Sequence, residues 1–226
     1  MSHSLLLIGS ARRRSTSASL GGYLLERLAE KGFETETLSL PPILKSEEAQ
    51  AELLAASDRA DLVILAAPLY VDCLPYAVIK ALEIIAAHRR DRRPPQPQRF
   101  LALINCGFPE TEHNATAVAI CRQFARETGF AWAGGLALGE GGAINGQTLT
   151  QVGGMARNAI RALDLGAEAL AQGKAVPPEA ESLMAKPLVP AWLYVQLGNL
   201  NWKRSARRYG TRKQLMAQPY LRQPQL

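Results

Sequence analysis

The 226-residue sequence predicts an α/β protein: a three-layer sandwich in which a five-stranded parallel sheet lies between helices, followed by a C-terminal helical appendage. Three observations point there. Short, wholly apolar runs alternate five times with segments of helical period, the pattern of strands buried on both faces and joined by right-handed crossovers. Hydroxyls, glycines and aromatics gather just after the apolar runs, where an open parallel sheet binds its ligands. The net charge of +6 is confined to one end: residues 1–176 carry 18 Lys+Arg and 18 Asp+Glu, whereas 177–226 carry 8 and 2. The expected division is therefore a sheet domain over 1–175 and a basic, aromatic extension over 176–226.

Residues 5–9 (LLLIG) read as the first buried strand, and Leu20, Tyr23, Leu24 and Leu28 form a helical stripe ended by Gly32. Residues 33–40 (FETETLSL) alternate and stop at Pro41-Pro42, which predicts a second strand, with a polar helix over about 46–57 behind it. The third strand is LVILAAPLY. Pro75 then opens a helix to about 88, because a proline costs nothing at a first helical turn. The segment RRDRRPPQPQR is a proline-broken connection. FLALINC is the fourth strand, Asn114 is placed to cap a helix to about 127, FAWAGGLALG is the fifth strand, and one helix over about 150–172 completes the set. Five strands favour the order 2-1-3-4-5 over a six-stranded dinucleotide-binding sheet, and either order puts the site in the loops after strands 1, 3, 4 and 5.

Composition excludes several classes. With 47% hydrophobic and 20% charged residues the chain is neither charge-dominated disorder nor a membrane bundle. Three cysteines with no CxxC pair argue against a disulfide framework or a cysteine zinc site and for a reducing, cytoplasmic setting. The apolar run at the start is short and has its arginines behind it, unlike a signal peptide, so no targeting segment is expected. No metal site is expected.

The first loop, residues 9–17, joins a buried strand to a helix N-terminus. Its Ser10, Arg12, Ser15 and Ser17 offer hydroxyl and guanidinium donors beside the free amides of the helix, a cradle for an anion. It lacks both GxxxxGK[ST] and GxGxxG, so the phosphate expected is a mononucleotide's. After strand 3, Pro68, Leu69, Tyr70 and Val71 place apolar and aromatic groups where a loop should turn polar, a surface for a flat ring. After strand 4, Asn105, Gly107 and Phe108 can close the other side, and His113 is a candidate hydrogen-bond donor or a structural residue beside the helix start. The glycine-rich segment 139–146 outwardly matches part of a dinucleotide fingerprint but follows the wrong strand, and is read as a flexible loop bordering the site.

Gly9-Ser10-x-Arg12-x-x-Ser15 opening a βα unit, with Pro68-x-Tyr70 and then Pro75 and Ile79-Lys80 leading into a helix, resembles the flavodoxin-like NAD(P)H-dependent FMN reductases over about 1–175. The resemblance implies a flavodoxin-like three-layer sandwich that binds FMN, its phosphate at Ser10, Arg12, Ser15 and Ser17 and its isoalloxazine near Pro68, Leu69 and Tyr70. It implies ping-pong transfer of reducing equivalents from NAD(P)H to a small-molecule electron acceptor such as a quinone or flavin, the flavin carrying the chemistry. The family's usual Pro-Glu-Tyr-Asn-Gly stands here as Pro68-Leu69-Tyr70-Val71-Asp72, and Ser17 takes a place often held by Asn. The alternatives are a flavodoxin-type electron carrier and a non-catalytic binding or scaffold protein of the same fold.

The extension carries Trp192, Tyr194, Leu197, Leu200 and Trp202 followed by Lys203, Arg204, Arg207 and Arg208. The preferred reading is packing on the sheet domain or on a second subunit, giving a homo-oligomer (dimer or tetramer). Peripheral contact with an anionic membrane is the less favoured reading. Nucleic acid rests on charge alone and is not expected.

Overall fold

The computed structural model describes residues 2–91 and 96–218; the middle of the proline-broken connection and the last residues of the extension lie outside the described residues. Five strands, β1 (His3–Ile8), β2 (Glu34–Ser39), β3 (Leu62–Pro68), β4 (Arg99–Asn105) and β5 (Ala131–Leu138), pair in parallel in the order β2-β1-β3-β4-β5. Seven longer helices follow in chain order: α1 (Thr16–Ala29), α2 (Glu47–Arg59), α3 (Tyr76–Asp91), α4 (Ala115–Thr128), α5 (Arg157–Ala171), α6 (Pro178–Met184) and α7 (Ala191–Arg208).

The strand period of two sorts the apolar runs onto the two faces. Leu5, Leu7, Val63, Leu65, Phe100 and Ile104 pack with Leu53 of α2, Val78, Leu82 and Ile85 of α3, and Phe124 of α4. Leu6, Ile64, Leu101, Leu103 and Leu136 point the other way, against Leu20, Leu24 and Leu28 of α1 and Leu163 and Leu170 of α5. Strands β1, β3 and β4 are buried along almost their whole length, so their runs are continuously apolar. β2 is an edge strand with only alternate residues shielded, which is why its sequence alternates.

Three local expectations change. The helix expected over 150–172 is broken: a turn at Leu149–Val152 ends at Gly153, whose φ of 68° no helix can continue, and α5 starts at Arg157. Asn114 lies inside a 3-10 turn (Thr111–Asn114) and its side chain caps nothing. Pro41 and Pro42 form part of a helical turn, Leu40–Ile43, where proline's fixed φ suits a helix start.

The chain divides into compact units at Leu188, not at 175: Met1–Leu188 and Val189–Leu226. A bulge in β5 explains the difference. The register slips opposite Phe100 and Leu101, Gly134 takes φ +127°, and the Ala133 carbonyl accepts the Val176 N–H at 2.8 Å. Residues 176–188 then finish the second core with Val176, Ala180, Met184 and Leu188. In the second unit α7 is followed by a 3-10 turn at Arg212–Gln214. Among the described residues no helix is long and apolar enough to cross a membrane.

At the exit of β1, Gly9 N–H donates to Ala66 C=O at 2.8 Å, and a Cβ at residue 9 would stand 2.4 Å from Val78 Cγ2 and 3.0 Å from Ala67 Cβ. Gly9→Ala should therefore destabilise by about 1–3 kcal/mol, the usual cost of overpacking. The check is a lower urea midpoint with an unchanged m-value.

Candidate functional site

The first loop is shaped by its own hydroxyls. Ser10 Oγ accepts the Arg12 N–H at 3.2 Å, and Ser15, in extended backbone, caps α1 by accepting the Ala18 N–H at 3.2 Å. Arg12, Arg13 and Arg14 are exposed. Thr16 Oγ1 donates to Gly141 C=O at 2.6 Å, tying α1 to the loop after β5. Ser17 is buried with its hydroxyl 3.3 Å from Asn105 Oδ1, so it joins the first loop to the end of β4.

After β3 the backbone turns back on itself. Tyr70 and Cys73 pair by N–H to C=O bonds of 2.9 and 3.4 Å, and the two residues between them, Val71 (φ 48°) and Asp72 (φ 55°), are both left-handed, the signature of a type I′ hairpin. Such a turn favours Asn-Gly, and a β-branched valine is strained in it. Leu69 N–H is committed to Asn105 C=O at 2.7 Å and Tyr70 N–H to Cys73, so neither amide is left to meet a ligand.

The loops after β4 and β5 are laced together. Cys106 N–H donates to Leu138 C=O at 3.0 Å, Gly141 N–H to Cys106 C=O at 2.8 Å, and Glu140 N–H to Phe108 C=O at 2.7 Å. Buried Asn114 donates from Nδ2 to Leu138 C=O at 3.2 Å and lies 3.3 Å from Cys106 Sγ. Burial pushes the Cys106 thiol up from its ordinary pKa, and Cys121, deeper in the core, is pushed up to about 12. Phe108 stacks on His113 with ring centroids 4.3 Å apart; the imidazole lies 3.8 Å from Asp72 and 4.0 Å from Glu110 carboxylate oxygens. Buried Glu140 accepts the Leu188 N–H at 2.8 Å. Gly146 (φ 73°) is pressed on the first loop, since a Cβ there would lie 2.7 Å from the Arg14 carbonyl carbon. The glycine-rich segment is thus fitted against the first loop.

These loops enclose a cleft of about 230 Å³ at the carboxyl ends of the strands. Ser10, Arg12, Ser15, Ser17, Pro68, Leu69, Tyr70, Asn105 and Gly107 all line it. Val71 is 89% exposed at the hairpin tip, and Phe108 and His113 stand together outside the lining. Arg14, Thr16 and Cys106 also line the cleft, as do Gly141, Gly142 and Asn145 of the glycine-rich segment expected to border the site. Arg14 belongs to the arginine run of the first loop; Thr16 is held by its side-chain bond to Gly141 C=O, and Cys106 and Gly141 by the backbone bonds between the loops. Among the described residues no Asp or Glu lines the cleft, so two arginines and the N-terminus of α1 set a positive local field.

No protein-family model matches the chain, and no curated protein matches it. Solved structures do. An NADH:FMN oxidoreductase in its apo form aligns with a TM-score of 0.57 at 18% identity over 80% of this chain and 94% of that one. An NAD(P)H:quinone oxidoreductase from Methanothermobacter marburgensis gives 0.56 at 16% identity, over 75% and 98%. An FMN-dependent NADH-azoreductase from Bacillus anthracis, in complex with FMN, gives 0.54 at 14% identity, over 76% and 100%. The fold is flavodoxin-like.

Two measurements test this geometry. Val71→Gly should raise stability by about 1 kcal/mol, the strain released less the entropy gained by the unfolded chain, read as a higher urea midpoint. In the native protein near pH 8 a thiol reagent should label exposed Cys73 alone, with Cys106 and Cys121 reacting only after denaturation.

Proposed function

We propose that the chain is an FMN-dependent oxidoreductase that passes reducing equivalents from NAD(P)H to a quinone, flavin or similar small acceptor. One observation carries the reading: a carboxylate-free cleft at the strand ends is lined by two kinds of group, hydroxyl and guanidinium donors from the first loop and Pro68, Leu69 and Tyr70 from the loop after β3. A phosphate monoester attached to a flat aromatic ring matches that division.

The donor set fits FMN. Ser10 Oγ and Ser15 Oγ each accept a backbone N–H, so each keeps its own hydrogen to donate to a phosphate oxygen. Arg12 and Arg14 supply charge-assisted bonds, and the first amides of α1 complete the anion site. Ser17 acts by holding Asn105, because its hydroxyl is directed there. Gly107 leaves open space where a Cβ would stand, which lets a ring approach the backbone at the end of β4.

FMN held by Ser10, Ser15, Arg12 and Arg14 would supply the redox chemistry between NAD(P)H and a small acceptor. The chain's residues bind and orient: Tyr70, about half exposed, borders the ring region, and the Phe108–His113 pair stands beside it. The titratable groups are not asked to move a proton in the hydride step. Three unpaired cysteines fit a reducing cytoplasm, where NAD(P)H is available.

The reading is tested by absorbance. Protein loaded with FMN should be yellow and bleach anaerobically on adding NADH or NADPH, then recover its colour with a quinone. Retained FMN that NAD(P)H does not bleach would favour the electron carrier, and failure to take up FMN the scaffold. Arg12→Ala should weaken FMN binding by about 1–3 kcal/mol without changing stability, whereas Ser15→Ala should do both, since the cap itself contributes about 0.5–2 kcal/mol. FMN titration of the apo-protein and thermal melts separate the two effects.

A further inference from the structure

The second unit, Val189–Leu226, has a chemistry of its own. Trp192, Val195 and Trp202 recur at spacings of three and seven along α7, which puts them on one face, and Tyr209 continues the line just past the helix end. That stripe is exposed: Trp192 by 70% and Trp202 by 72%, with Val195 and Tyr209 also open. Lys203, Arg204, Arg207 and Arg208 lie off that stripe in the last two turns, on the side that also carries half-exposed Leu197 and Leu200 one to two turns earlier. Residues 189–226 contain seven Lys+Arg and no Asp or Glu.

We infer that this segment docks on an anionic lipid surface, with α7 lying in the plane of the interface. In that position Trp192, Val195 and Trp202 enter the headgroup and acyl boundary, and the four basic side chains meet lipid phosphates. Charge selects the lipid over a second copy of the chain. Pairing this segment with itself would bring fourteen positive charges together with no carboxylate to offset them. Residues 1–188 are close to balanced, with 19 Lys+Arg and 20 Asp+Glu, so another copy offers an excess of only one negative charge against the seven positive ones of this segment. The aromatic stripe selects the lipid over nucleic acid, because phosphate contacts alone leave two exposed tryptophans and a valine on one face without an apolar partner. Tryptophan, apolar in body and with one N–H to satisfy, is suited to an interface. The inference does not depend on the redox reading of the cleft.

The test uses the full chain and vesicles of phosphatidylcholine with or without phosphatidylglycerol, at physiological salt. Sedimentation should show binding to the anionic vesicles at least about tenfold tighter than to the neutral ones, weakening as salt is raised. Tryptophan emission should shift to the blue with the anionic vesicles only. Two variants should each lose about tenfold in binding: the pair Trp192→Ser and Trp202→Ser through its apolar term, and the set Lys203→Gln, Arg204→Gln, Arg207→Gln and Arg208→Gln through its charge. Thermal melting of the first unit should be unchanged in both. Equal binding to the two kinds of vesicle, or none, overturns the inference. So does a lipid-free dimer that the tryptophan variant reduces to a monomer, which would make a second copy the occupant. Retention on RNA that only the charge variant abolishes, without vesicle binding, overturns it in favour of nucleic acid.

Discussion

Leu69 N–H on Asn105 C=O, Cys106 N–H on Leu138 C=O and Gly141 N–H on Cys106 C=O carry the parallel ladder beyond the ends of β3, β4 and β5. Thr16 Oγ1 on Gly141 C=O closes the series back onto α1. A parallel sheet ends in carbonyls and amides that must find partners, and here the loops supply them to one another. The cleft depends on this lacing. It spends amides that could otherwise have faced a ligand and fixes which groups remain: serine hydroxyls whose acceptor side is already used, arginines on a tight turn, and glycines where two loops touch. Rigidity at the strand ends and the donor set of the cleft therefore have one cause.

The fold was legible because its strongest signals are local. β1, β3 and β4 are buried on both faces and read as continuous apolar runs, while the edge strand β2 alternates, so the strand count followed, and with it the sheet order and the end of the sheet that carries the site. Less legible was anything set by a left-handed residue. Nothing in the apolar period over 150–172 announces that Gly153 turns to φ 68° and stops the helix, or that Val71 and Asp72 fold into a hairpin normally built from asparagine and glycine. The charge boundary and the packing boundary also differ. The basic excess begins after 176, yet Val176, Ala180, Met184 and Leu188 are apolar residues that complete a core.

Among the residues that line the cleft, Ser10, Arg12 and Ser15 are legible by type and position. Gly141, Gly142 and Asn145 are legible only as a segment, the glycine-rich stretch bordering the site, because what each contributes is set by loop-to-loop bonds that residue type does not announce. Ser17 and Asn114 show the converse case. Each is a polar residue in a suggestive place, and each turns its donor to another part of the scaffold: the Ser17 hydroxyl to Asn105, Asn114 Nδ2 to Cys106 and Leu138. A polar residue near a sheet's carboxyl edge is as apt to hold the scaffold as to hold a ligand, and only the partner's identity separates the two.

The bond from Leu188 N–H to the buried Glu140 carboxylate gives the end of the first unit an unusual character. The last residue of a folded unit commonly frays and trades its amide proton with solvent quickly. Here that proton is held by a carboxylate with no exposed surface, beside a leucine that is itself buried. Hydrogen exchange at Leu188 would follow the opening of the β5 loop and not the fraying of a terminus. A chain cut back to 175 would lose the Leu188 bond to that carboxylate, whereas one ended at 188 or later would keep it.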